Sequence, residues 1–177
     1  KRWNALRSLD REGSRWRILR KKIVIRPLIR EKFQEFLQGQ RILFFSAPCG
    51  FGKTTVAEAL LSGRTVLRRS GEDEDPIPEE GDWNILLVDD FQRMPEENVL
   101  ALCQYIRSTP DRRFVFLSRG VPPGCMMAFQ YAGIMGVISA QEMLFDEEDI
   151  QTLFRLYDVP VTRSEVSGIL KESIGYA

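Results

Sequence analysis

The sequence predicts an α/β fold: a parallel sheet of about five strands with helices packed against it. Three stretches carry that prediction. Residues 42–45 (Ile-Leu-Phe-Phe) enter Ser46-Ala47-Pro48-Cys49-Gly50-Phe51-Gly52-Lys53-Thr54-Thr55, and an apolar helix-like segment follows from Val56. The order is strand, glycine-bearing loop, helix. Ile85-Leu86-Leu87-Val88 is an unbroken apolar run closed by Asp89 and Asp90, as expected of a strand buried on both faces. Phe114-Val115-Phe116-Leu117 is another such run, closed by Ser118 and Arg119.

The remaining elements follow in chain order. Ile23-Val24-Ile25-Arg26 is a short β-branched stretch stopped by Pro27, and Ile29, Phe33, Phe36 and Leu37 then recur at helical spacing up to Gly39. Thr65-Val66-Leu67 reads as a short second strand. The acidic, proline-broken stretch 71–82 reads as a solvated loop, because its carboxylates lack the spacing of a hard-cation cage. Pro95 suits an early helix position before Val99, Leu102, Cys103 and Ile106, which form one apolar face. Residues 126–131 form a short helix and 136–138 a fifth strand. Asp146-Glu147-Glu148-Asp149 caps a helix through Ile150, Leu153, Phe154 and Tyr157, and a last helix opens near residues 161–165.

At 177 residues there is room for one α/β domain with a full core. The chain starts at Lys1 rather than Met, so a piece of a longer protein is expected. No apolar run approaches the ~20 residues that span a bilayer, and no signal peptide is visible. Three unpatterned cysteines suit a reducing cytoplasm and argue against a disulfide framework or zinc site. There is no histidine, which excludes Ser-His-Asp and Cys-His catalysis and His-ligated metals. The zero net charge conceals a split: residues 1–30 hold eleven Lys/Arg against Asp10 and Glu12, and the rest of the chain is correspondingly acidic. Such an arm can bind nucleic acid, but with only Trp3 and Trp16 interleaved it also fits a basic segment docked on an acidic domain or left in water.

The glycine-bearing loop has the chemistry of a phosphate site. Its backbone N–H groups and the following helix N-terminus make a partly positive concavity, and Gly50 and Gly52 let the backbone approach phosphate oxygens. Lys53 can reach the β- and γ-phosphates, and the Thr54 hydroxyl can ligate Mg²⁺. The pattern G-x-x-x-x-G-K-[ST] is met except at its first place, where Ala47 stands. Ligands of open α/β sheets bind beyond the strand C-termini, so Asp89, Asp90 and Arg119 should face this loop. One carboxylate, Asp89, suits the Mg²⁺ shell. Asp90 suits the attacking water, and Arg119 suits a γ-phosphate sensor or an ion pair with the aspartates.

Together these residues resemble the STAND signal-transduction ATPases, nearest to the large LuxR-type transcriptional regulators of the maltose-regulon-activator kind. Residues 46–55 are similar to their phosphate loop and Leu87-Val88-Asp89-Asp90-Phe91 to their Walker B strand. Leu117-Ser118-Arg119 is similar to their sensor arginine, and Val24-Ile25-Arg26-Pro27 to the lead-in segment folded over adenine. Leu144-Phe145, Glu148, Leu153-Phe154 and Gly175-Tyr176 resemble a further run, with Tyr176 where tryptophan is usual. The resemblance covers about residues 23–177.

It implies a P-loop NTPase three-layer sandwich in which the Arg119 strand lies between those of the phosphate loop and Asp89. The short spacing from the phosphate loop to Asp89 implies loss of a helix usually found between those strands. It divides the chain into a basic segment or linker (1–22), an NTPase core (23–145) and C-terminal helices at the start of a helical lid (146–177). It implies ATP or ADP with Mg²⁺, held by Ile25, Arg26, Pro48, Gly50, Phe51, Gly52, Lys53, Thr54 and Thr55. The metal would lie on Thr54 and Asp89, and Lys53, Asp90 and Arg119 would serve hydrolysis. The implied function is a switch in a transcriptional regulator: ADP-bound at rest, self-associating with ATP, reset by slow hydrolysis, and reaching DNA through a domain outside this chain. A small-molecule kinase, a non-hydrolysing nucleotide scaffold and direct DNA binding by the basic arm are the alternatives.

Overall fold

The computed structural model describes residues 22–75, 77, 78 and 81–175. Five parallel strands form one sheet in the order β2-β3-β4-β1-β5: β1 is Ile42–Ser46, β2 Val66–Ser70, β3 Ile85–Asp89, β4 Arg113–Ser118 and β5 Met135–Ser139. All four pairings are parallel, and Phe44 lies level with Phe116 on one side and Val137 on the other. The Arg119 strand therefore does lie between the phosphate-loop strand and the Asp89 strand. This order brings the ends of β1, β3 and β4 together.

Side chains alternate across a strand, so the unbroken apolar runs of β1, β3 and β4 supply two cores. Ile42, Phe44, Leu86, Val88, Phe114 and Phe116 face helix α3 (Glu96–Ser108) and helix α4 (Met127–Tyr131) on one side. Leu43, Phe45, Ile85, Leu87, Val115 and Leu117 face α1 (Pro27–Gln38), α2 (Lys53–Leu60) and α5 (Ala140–Met143) on the other. The result is three layers. Phe44, Phe45, Phe114 and Phe116 have no exposed surface. Burying one such ring contributes roughly 2–3 kcal/mol.

The helices begin where capping chemistry allows. Pro27 opens α1, whose Ile29, Phe33 and Phe36 are buried at helical spacing. Pro95 is the N-cap of α3 and precedes two glutamates in its first turn. Asp146 caps α6 (Glu147–Leu156), accepting from the Glu148 and Asp149 N–H groups, and Asp149 returns a bond to the Asp146 N–H. Thr162 and Glu165 form the same box at the start of α7 (Arg163–Ser173). The box of Ser139 and Glu142 opening α5 was not foreseen from the sequence.

One local expectation shifts. The helix expected at 126–131 divides into a 3-10 turn, Gly124–Met126, and α4. The β-branched stretch 23–25 forms no strand; it runs in irregular conformation into α1. Among the described residues between β2 and β3 there is no helix, in keeping with the short spacing. Tyr176 and nearly all of the basic arm, residues 1–21, lie outside the described residues.

Candidate phosphate-binding site

The site is built on the C-terminal edge of the sheet, where β1 ends and α2 begins. Gly50 and Gly52 take φ of 85° and 75°, in the left-handed region where a side chain is strained. At Gly52, the residue before α2, a Cβ would meet nothing within 4 Å, so the glycine is required by backbone angle rather than crowding. The loop then delivers Lys53 and Thr54 as the first two residues of the helix.

Lys53 turns back over its own loop. Its Nζ donates to the carbonyls of Ala47 and Pro48 at 2.7 and 2.9 Å. Burial lowers its pKa below the usual lysine value, with Cys49 and Asp89 acting in the opposite direction. The Thr54 hydroxyl donates to Asp89 Oδ2 at 3.0 Å, and Asp89 Oδ1 accepts the Asp90 N–H at 2.7 Å.

Asp90 follows β3 in the left-handed conformation, φ 48° and ψ 39°. Such a backbone is uncommon for a residue with a side chain, though aspartate tolerates it better than most. Gly71, just after β2, makes room for it: the Gly71 N–H donates to the Asp89 carbonyl at 2.7 Å, and a Cβ there would lie 2.3 Å from the Asp90 carbonyl oxygen. Asp90 Oδ1 accepts from Gln92 Nε2 at 2.8 Å and from Arg119 Nη2 at 3.4 Å. The Gln92 hydrogen bond, more than the charges of Arg119 and Arg93, holds the Asp90 carboxyl below its ordinary value. Gln92 also accepts the Arg119 N–H at 2.9 Å.

Beside the loop lies an open cavity of about 340 Å³. Its walls come from the lead-in segment (Ile23, Val24, Arg26), the loop and α2 (Phe51, Gly52, Thr55), and the C-terminal part (Phe145, Leu153, Tyr157, Gly175). The Gly175 carbonyl accepts the Phe145 N–H at 2.8 Å, which draws the end of the described chain against this wall. Arg26 lines the cavity and is also pinned: Nε meets Asp149 Oδ2 and Nη2 meets Asp146 Oδ2, each at 2.8 Å. Ile25 packs on the core under the sheet, while its neighbours Ile23 and Val24 line the cavity.

Apart from Ile25, which packs on the core, the sequence-nominated residues fall in three places. Lys53, Thr54, Asp89, Asp90 and Arg119 share the sheet edge. Pro48 and Gly50 shape the loop over it. Phe51, Gly52, Thr55 and Arg26 line the adjoining cavity. Gln92 was missed, since a glutamine two residues after Asp90 has no spacing signal of its own. Only the 3-10 turn Phe91–Arg93 brings it back over the strand ends.

Sheet order, glycine loop and the paired strand ends define an α/β domain of the P-loop NTPase fold. No protein-family model matches the sequence, and no curated protein matches it. Solved structures do. A STAND protein with a tetratricopeptide-repeat sensor from Pyrococcus horikoshii aligns with a TM-score of 0.61 at 15% identity, over 87% of this chain and 28% of that one. A Walker-type ATPase of Pyrococcus abyssi aligns with a TM-score of 0.57 at 13% identity, over 86% and 64%. The Thermotoga maritima RuvB Holliday-junction branch-migration motor aligns with a TM-score of 0.55 at 17% identity, over 86% and 58%. At these identities the likeness is one of fold, and this chain spans less than two thirds of each.

Proposed function

We propose that the chain is an ATP/ADP-binding switch domain of a signal-responsive transcriptional regulator. The observation that carries the nucleotide part is the convergence of Lys53, Thr54, Asp89, Asp90 and Arg119 at one sheet edge beside a cavity of ligand size. The phosphates lie in the Gly50–Gly52 loop, and the base lies in the cavity between the lead-in segment and Phe145. Thr54 Oγ1 and Asp89 Oδ2 are hard oxygen donors at the loop's mouth, a set that suits Mg²⁺. When bound, that ion neutralises charge on the β- and γ-phosphate oxygens.

The chain's own groups divide the remaining work. Lys53 exchanges the Ala47 and Pro48 carbonyls for phosphate oxygens, a stronger charge-assisted pairing. Asp90 orients the attacking water. A water O–P bond forms, the bond to the β-bridging oxygen breaks, and the water's proton passes by way of Asp90 to solvent, leaving ADP and phosphate. Arg119 leaves Asp90 for the γ-phosphate, so its position reports which nucleotide is present. A resting ADP state, self-association with ATP, reset by slow hydrolysis, and DNA contact through another domain complete the proposal. They rest on the resemblance of residues 23–177 to the STAND regulators.

Nucleotide binding and single-turnover hydrolysis in Asp89→Asn and Asp90→Asn test the division of roles. The first should mainly weaken Mg²⁺-nucleotide binding, and the second should spare binding and slow hydrolysis. Equal loss of binding in both would overturn the assignment.

A further inference from the structure

We infer that Gln92 is a positioning residue that ties the Asp90 carboxylate to the end of the Arg119 strand, so that the two groups facing the γ-phosphate are held as one unit. The inference rests on the nucleotide reading of the site and adds a residue to it.

The geometry is specific about which end of the amide does what. Gln92 Nε2 donates to Asp90 Oδ1 at 2.8 Å, and Gln92 Oε1 accepts the Arg119 N–H at 2.9 Å. One side chain thereby bridges the turn after β3 and the end of β4. The amide can do both, whereas a carboxylate has no donor and an ammonium or guanidinium no acceptor. Arg119 Nη2 closes the triangle on the same Oδ1 at 3.4 Å.

Gln92 itself is exposed, yet its backbone has little freedom. Phe91, 2% exposed, packs its ring on the face of the sheet: it meets Phe44 edge-on at 5.6 Å and Phe116 at 4.8 Å. Met94, at the other end of the turn, is buried in the same core. The turn is thus anchored in the core directly beneath the site, and Gln92 projects from it over the strand ends.

The bridge has a consequence for the reaction. When Arg119 turns to a phosphate, Asp90 would lose one of its two side-chain donors and be free to rotate. Gln92 keeps Oδ1 occupied, which leaves Oδ2 to hold the water. It also fixes the backbone from which Arg119 reaches. A misplacement of about 1 Å can cost on the order of a hundredfold in rate.

The test combines Gln92→Ala and Gln92→Glu. In Gln92→Ala, single-turnover ATP hydrolysis should fall about tenfold while the Mg²⁺-ATP Kd changes less than about twofold. The Arg119 amide resonance should shift in the free protein, as its acceptor is gone. Gln92→Glu keeps an acceptor for the Arg119 N–H but sets a second negative charge against Asp90, so the resonance should stay near its wild-type position while hydrolysis still falls. Because the side chain is exposed, neither variant removes core packing. Unchanged hydrolysis with an unmoved Arg119 amide in Gln92→Ala would overturn this inference alone. Failure of the wild-type chain to bind Mg²⁺-ATP would overturn both it and the nucleotide reading.

Discussion

The Thr54 hydroxyl donates to the Asp89 carboxylate across 3.0 Å, joining the first turn of α2 to the end of β3. The two residues come from separate stretches of sequence, and they meet because β4 brings the ends of β1 and β3 to one edge. A hydroxyl and a carboxylate at this separation can both turn toward one small hard cation. Thr54→Ala should therefore weaken Mg²⁺-nucleotide affinity on the order of tenfold, with less effect on binding measured in EDTA. Titration with and without Mg²⁺ checks this, and an equal loss in both conditions would place Thr54 on the phosphate alone.

The clamp around Arg26 has a pH signature. The Asp146 carboxyl is held below its ordinary value by the backbone bond from Asp149 and by Arg26. Glu142, whose carboxylate pairs with Lys32 rather than Arg26, is also held low: burial opposes this, but the bonds from Lys32 and Ser139 outweigh it. For both groups the folded chain gives up its proton more readily than the unfolded chain. Their contribution is present above about pH 4–5 and is lost as pH falls through the lowered folded values. Arg26→Ala should cost about 1–3 kcal/mol near pH 7, since it strips the cation from Asp149, which is 7% exposed. The share of that difference carried by Asp146 should shrink as pH falls through its lowered value. Urea melts between about pH 7 and 3 measure it, and a constant difference would exclude Asp146 as a source.

Gly71 has no room for a side chain. A Cβ there would sit 2.3 Å from the Asp90 carbonyl oxygen and 3.2 Å from the Met94 nitrogen, both backbone atoms that cannot swing aside. Gly71→Ala should destabilise the fold by about 1–3 kcal/mol and move the Asp90 turn, slowing hydrolysis as well. Gly39→Ala is the control, because a Cβ at Gly39 meets nothing within 4 Å; it should change stability by less than about 1 kcal/mol. Equal melting of the two variants would contradict the crowding at Gly71.

Much of this is legible in the sequence. The apolar runs at 42–45, 85–88 and 114–117 are buried on both faces of the sheet, and a run without alternation is how such a strand reads. Asp146 announced its helix because a capping side chain stands next to the turn it satisfies. What stayed hidden depends on contacts between distant segments. The bonds of Gln92 exist only once β4 lies beside β3. The left-handed turn at Asp90 depends on the missing side chain of Gly71, some twenty residues away in sequence. The lead-in stretch 23–25 is β-branched, yet it runs in irregular conformation, and the part played by Ile23 and Val24 in lining a cavity depends on distant segments.

The most direct measurement is a fluorescence titration of the purified chain with N-methylanthraniloyl-ADP and -ATP in Mg²⁺, wild type against Lys53→Ala. A phosphate site at the sheet edge predicts saturable binding to the wild type, weakened about tenfold or more when the Lys53 ammonium is removed. No saturable binding, or the same affinity in both proteins, would contradict it.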